Sequence, residues 1–140
     1  MQVAIMNKFI ALVALVAMTT FVGLASHSSI AAEVHVDLVA KDNCIKACNE
    51  CLRACRECIV GCDCPTCEKH CLTCIETCQA CVALLEYDSP LADEMCEVCE
   101  EACEECRDAC EKCGDTPCCK KCAEACKTCH DACEAMGHKG

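Results

Sequence analysis

The stretch Cys44-Ile45-Lys46-Ala47-Cys48-Asn49-Glu50-Cys51-Leu52-Arg53-Ala54-Cys55-Arg56-Glu57-Cys58-Ile59-Val60-Gly61-Cys62 decides the fold. Its cysteines follow one another at steps of 4, 3, 4, 3 and 4 residues. That alternation puts every sulfur on one stripe of an α-helix, at the a and d positions that face partner helices. A strand would need a step of two, so strands are excluded.

The pattern recurs three more times. Cys64, Cys67, Cys71, Cys74, Cys78 and Cys81 form a second group. Cys96, Cys99, Cys103, Cys106, Cys110 and Cys113 form a third, and Cys118, Cys119, Cys122, Cys126, Cys129 and Cys133 a fourth. Only Cys118 lies off the stripe. Turn residues separate the groups: Gly61-Cys62-Asp63-Cys64-Pro65, then Tyr87-Asp88-Ser89-Pro90, then Gly114-Asp115-Thr116-Pro117. Thr116 has the chemistry of an N-cap and Pro117 that of a first helical residue. The predicted helices are 38–61, 65–86, 90–113 and 117–136, each about 30 Å long at a rise of about 1.5 Å per residue. A shift of 48 residues carries Cys48, Cys51, Cys55, Cys58 and Cys62 onto Cys96, Cys99, Cys103, Cys106 and Cys110. The repeating unit is a helical hairpin. The expected fold is all-α, an antiparallel four-helix bundle of two repeated hairpins with a core lined by cysteine.

The columns beside the stripe support close packing. One flank carries Ala47, Ala54, Gly61, Ala102, Ala109, Ala125 and Ala132, small enough for helices to approach over short cysteines. The other flank is aliphatic in the first hairpin, with Ile45, Leu52, Ile59, Ile75 and Val82. It is Glu100, Arg107, Ala123 and His130 in the second. The aliphatic flank either packs inside or forms a subunit interface.

Composition sets what the core can be. The 140 residues include 24 cysteines, no tryptophan, two phenylalanines and one tyrosine. Both phenylalanines, Phe9 and Phe21, lie near the N-terminus, so an ordinary oily core is not available to the rest. Disulfides or metal are the usual substitutes in small scaffolds. The net charge of −11 leaves no basic patch for a phosphate backbone, which argues against nucleic-acid binding and favours the approach of cations.

Residues 1–32 read as a secretory signal peptide and 33–140 as the bundle. Lys8 precedes an apolar or small-residue run from Phe9 to Ala25, and small residues follow as far as Ala32. Met6 is an alternative start. The run is at the short end for a retained membrane anchor. No twin arginine is present, which points to export in unfolded form. The expected location is outside the cytoplasm, in a bacterial periplasm, with no membrane attachment after cleavage.

Three chemistries compete for the cysteines. Simple core filling is a poor account, because Ala or Val would fill the space without oxidation risk. Disulfide stapling suits an oxidising compartment. However, neighbours on one helix have Cβ atoms about 5–6 Å apart, and a disulfide wants about 3.8 Å. Metal binding explains the unbroken stripe best, since thiolates select soft ions such as Cu(I), or Zn(II) and Cd(II) in the manner of a metallothionein. Charge separates these. Each Cu(I) can cancel one bridging thiolate, whereas six Cys₄ zinc sites would bury about twelve negative charges. No single cysteine is distinguished as a redox catalyst would require, so an enzyme is not expected.

The repeated C-x₂-C-x₃-C pattern on four antiparallel helices, over about residues 44–133, resembles the copper storage proteins, a bacterial cysteine-rich four-helix-bundle family. The resemblance implies many Cu(I) ions on the core cysteines, association as homotetramers, and exported and cytosolic branches. The signal segment is similar to the exported branch. The chain is denser in cysteine than the family pattern, which implies a larger capacity. A copper donor or acceptor protein is a further expected partner. Antiparallel topology gathers His35, Tyr87, Met95, Met136 and His138 at one end, and the family is similar in using Met and His near an open end. His35, Met95 and Met136 are therefore candidates for admitting copper, against the alternative that Met136 plugs the core. His70 and His130 lie off the stripe and are expected to be solvated.

Overall fold

The computed structural model describes residues 35–137. The signal-peptide reading of residues 1–32 and His138 lie outside them. The chain divides into two units, Met1–Leu38 and Val39–Gly140. Of the first unit only 35–38 are described, and they are helical and exposed, His35 among them.

The second unit is the four-helix bundle. Within it helix α1 is described over 39–61. It is followed by α2 (Pro65–Glu86), α3 (Ala92–Cys113) and α4 (Pro117–Gly137). Two of the three connections use the expected turn chemistry. Pro65 begins α2 after Cys64 in extended conformation. Pro117 begins α4, and the Thr116 hydroxyl accepts a hydrogen bond from the Cys119 amide at 3.3 Å, as an N-cap does. Replacing Thr116 with alanine should cost about 1 kcal/mol. A fall in the melting temperature of the metal-free chain by about 4–8 °C would show it.

The middle connection is longer than the sequence suggests. The Asp88 amide bonds Leu85 O at 3.2 Å and the Ser89 amide bonds Leu84 O at 3.0 Å. Asp88 takes a left-handed φ of 49°, which Asp tolerates better than most residues. The reversal therefore consumes Pro90 and Leu91, and α3 starts at 92 rather than 90. At the last connection Gly114 has φ 126°, where a side chain would be strained. At the first, a Cβ on Gly61 would stand 3.3 Å from Cys118 Cβ and Sγ, so the glycine lets the α4 start sit against the α1 end.

The core is built as the stripe dictates. Twenty cysteines are buried, leaving only Cys62, Cys64, Cys113 and Cys118 half-buried. No polar or charged residue is buried among the described residues. Ala47, Ala54, Ala102 and Ala109 are buried at the helix seams, where small side chains permit the approach that short cysteines demand. Leu52 and Ile75 are buried, and Ile45, Ile59 and Val82 pack partly buried against the core. The aliphatic flank of the first hairpin thus serves the interior.

Two details differ from expectation. His70 and His130 are half-buried rather than solvated, with side chains 25% and 20% exposed. A narrow core draws the helices together, so residues one step off the stripe are partly covered. Each lies near an α3 carboxylate: His70 Nδ1 is 3.5 Å from Glu105, and His130 Nε2 is 3.6 Å from Glu100. Outside, ion pairs such as Lys121–Glu57 (2.5 Å) and Lys41–Asp88 (2.5 Å) join neighbouring segments. Pairs this exposed contribute little each. Among the described residues no helix is long and apolar enough to cross a membrane.

Candidate metal centre

Each step of the a/d ladder brings one cysteine from each helix to the bundle axis. In the middle layer Cys51 Sγ lies 3.5 Å from Cys74 and 3.7 Å from Cys126, and Cys74 lies 3.7 Å from Cys103. One layer along, Cys55 Sγ is 3.7 Å from Cys122 and 3.9 Å from Cys106, which itself stands 3.7 Å from Cys71. In the other direction Cys78 is 3.5 Å from Cys99 and 3.8 Å from Cys129, and Cys129 is 3.5 Å from Cys48. Cys44–Cys133 and Cys81–Cys96, both 3.6 Å, make the next layer. Diagonal helices touch as well as adjacent ones, because cysteine is too short to hold them apart.

Successive layers are also linked along a helix, as Cys51–Cys55 at 4.0 Å and Cys74–Cys78 at 3.9 Å show. Quartets such as Cys44, Cys48, Cys81, Cys133 and Cys55, Cys106, Cys122, Cys126 have all their sulfurs within 4.8 Å of one another. A metal–sulfur bond of about 2.3 Å sets two sulfurs on one ion about 3.8–4.0 Å apart at trigonal or tetrahedral angles. The observed spacing matches that. It is also wide of the ~2.05 Å sulfur–sulfur bond of a disulfide. Each central sulfur faces several neighbours at similar distance rather than one chosen partner.

Contacts among the thiols and burial together set the protonation of this interior: contact with Cys103 lowers Cys51 and Cys99, and contact with Cys106 raises Cys55. Burial pushes the Cys58 thiol up, and the nearby Cys67 sulfur adds to the effect. The S–H of Cys113 alone would lower Cys62, but contact with Cys119 and partial burial outweigh it, and Cys62 is pushed up to about 11. With no buried cation to stabilise thiolates, such thiols stay neutral at neutral pH. Each gives up its proton when a metal ion replaces it.

The two ends of the ladder differ. Where α1 starts and α2 ends, Leu85 (2% exposed), Met136 (7%) and Ala92 (8%) close over the last thiol layer. Met136 is part of the core cluster, and Met95 is half-buried against it. His35 belongs to the other unit and is exposed. At the opposite end the half-buried thiols gather: Cys62 Sγ stands 3.1 Å from Cys113 and 3.4 Å from Cys119. Cys118 alone turns from the axis, as its position off the stripe requires, with Sγ 3.4 Å from Gly61 O and 3.3 Å from the Thr116 hydroxyl. Sequence reasoning missed this asymmetry. Its only signal was the extra pair at that end, Cys64 in the first loop and Cys118 in the first turn of α4.

A helical bundle whose interior consists of free thiols at metal-bridging distances, with no acidic or basic side chain buried among the described residues, is a soft-metal protein. Comparison with known proteins agrees. The family model described as copper storage protein matches residues 33–138. The apo form of copper storage protein 3 from Bacillus subtilis is 35% identical, with TM-score 0.66, over 69% of this chain and 97% of that one. A structure described as Cu(I)-bound copper storage protein BsCsp3 is 32% identical, with TM-score 0.65, over 70% and 98%. No curated protein matches the chain. The chain belongs to the copper storage protein family.

Proposed function

We propose that this chain stores many Cu(I) ions on the thiolates of its core, holding them in reserve and away from damaging chemistry, without catalytic turnover. The observation that carries the reading is a thiol-filled interior with no buried acidic or basic side chain among the described residues. Replacing a thiol proton by Cu(I) leaves the net charge of that interior unchanged. A Cys₄ zinc site would leave about two uncompensated negative charges per ion, and burying unpaired charge is expensive. The ligands are the cysteines of the four stripes, from Cys44 to Cys133.

The same reading includes export. The apolar run from Phe9 to Ala25 and the small residues after it support a cleaved signal and a periplasmic location. The half-exposed or exposed side chains of Leu72 (50%), Val98 (49%) and Leu91 (54%) support association with further copies of the chain. Such an assembly would be homotetrameric if it follows the family resemblance.

Anaerobic titration of the fully reduced chain with Cu(I), followed by elemental analysis, tests the function. Bridging thiolates predict saturation well above about 12 ions per chain, approaching one per cysteine. Copper should also displace zinc completely from a zinc-loaded sample. A chain that takes up no copper, or holds zinc against an equal concentration of Cu(I), would sink the proposal.

A further inference from the structure

The bundle has one end stopped by apolar side chains and one end finished in thiols. Among the described residues the only cysteines that are not fully buried are Cys62, Cys64, Cys113 and Cys118, and all four sit at the same end. They come from three different places in the chain: the α1–α2 loop, the last residue of α3 and the first turn of α4. Periodicity alone does not account for one of them, and it does not require another to sit in a loop. Cys64 lies in the connection between helices and Cys118 lies off the stripe.

A second observation falls on this end. A cleft of about 340 Å³ opens between α3 and α4, lined by Cys110, Glu111, Asp115, Cys119, Lys120 and Glu124. Cys110 and Cys119 are buried core thiols, so the cleft reaches the ladder itself. Three carboxylates and one ammonium line its sides, which favours a cation over an anion. From the rim inward the sulfurs are closely spaced. Cys62 is 3.1 Å from Cys113 and 3.4 Å from Cys119, Cys67 is 3.2 Å from Cys110, and Cys58 is 3.6 Å from Cys67. The first three are shorter than any of the approaches in the middle layers, the closest of which are 3.5 Å.

We propose that this end is the port through which Cu(I) is exchanged with the outside, taken from and returned to carriers that hold it on sulfur or other soft ligands. The proposal rests on the copper-storage reading and adds a direction to it. Exchange proceeds by ligand replacement. A rim sulfur forms a bond to the incoming Cu(I), one donor–copper bond breaks, and the thiol proton passes to the released donor or to water. Copper remains Cu(I) throughout, so no oxidant or reductant is consumed. The ion then moves inward by the same step, from Cys62 or Cys113 to Cys119 and on to the core thiols. The half-exposed thiols can meet a carrier's ligands directly. The opposite end cannot offer this without moving Leu85 and Met136.

Capping the port in the folded chain tests this without a folding step. Brief treatment of the reduced, metal-free chain with methyl methanethiosulfonate should modify Cys62, Cys64, Cys113 and Cys118 first, as peptide mass mapping will show. Uptake is then followed by the loss of colour from Cu(I) held by a bicinchoninate chelator. The chain is kept at concentrations where the rate for untreated protein is proportional to protein. The capped chain is expected to load at least tenfold more slowly, and dithiothreitol, followed by its removal, should restore the rate. The double variant M95L/M136L, which conserves volume at the other end, should load at the untreated rate. The port is overturned if capped protein loads as fast as untreated protein, if the first cysteines capped lie at the Leu85 end, or if M95L/M136L is the slow one. Untreated protein that takes up no copper would instead overturn the storage reading.

Discussion

Loading with Cu(I) is expected to raise the melting temperature of this chain by at least about 20 °C. Each site filled at about a hundredfold excess of free metal over its dissociation constant adds about 2.7 kcal/mol to the folded state. Four such sites add about 11 kcal/mol, and each kcal/mol is worth about 4–8 °C in a domain near 100 residues. The ladder offers many more than four. The metal-free state has little to set against this. Its core is mostly cysteine, whose side chain buries less apolar surface than leucine, with Leu52, Ile75 and Leu85 as the only large aliphatics buried among the described residues. Thermal melts followed by helical circular dichroism, under reducing and oxygen-free conditions, give the comparison. Metal-free and loaded samples that unfold within a few degrees of each other would mean that copper does not bind the folded core.

The middle layer should carry a proportionate share. Changing Cys51, Cys74, Cys103 and Cys126 together to serine is expected to lower copper capacity by about four ions per chain, at roughly one Cu(I) per thiolate. Serine keeps the size of the side chain, and its hydroxyl can bond the carbonyl one turn back, so the helices should persist. The four sulfurs are neighbours at 3.5–3.7 Å along the ring from Cys103 through Cys74 and Cys51 to Cys126. Their loss therefore interrupts the ladder rather than trimming its edge. The melting-temperature gain on loading should shrink with the capacity. A variant that still saturates at the wild-type copper number would show that this layer is not a ligand set.

How much of this was legible beforehand varies with the kind of information. The alternation of 3 and 4 in the cysteine positions contains the helices, the buried face and the absence of strands, because all three follow from one periodicity. Thr116, Pro117, Pro65 and Gly114 mark two of the turns, since their local conformational preferences need no tertiary partner. The start of α3 was two residues out. The Asp88–Ser89 reversal bonds back to Leu84 and Leu85, and Pro90 reads equally well as a turn or a first helical residue. The half-burial of His70 and His130 depends on how closely helices approach, which a single-helix projection does not contain. The closed end was beyond reach for the same reason. Leu85, Ala92 and Met136 come from three helices, and only their assembly shows that together they cover the last thiol layer.

The exchange of Cu(I) for a thiol proton in a core with no acidic or basic side chain buried among the described residues has a consequence for how the protein is read by others. When Cu(I) displaces a thiol proton, one positive charge goes in and one leaves, so the net charge of the interior does not change and the acidic exterior is untouched. An empty molecule and a full one present the same electrostatic face. Any partner that must tell them apart cannot do so by long-range attraction. It has to gauge the fill level by touch, through the chemical state of the few sulfurs that reach the surface.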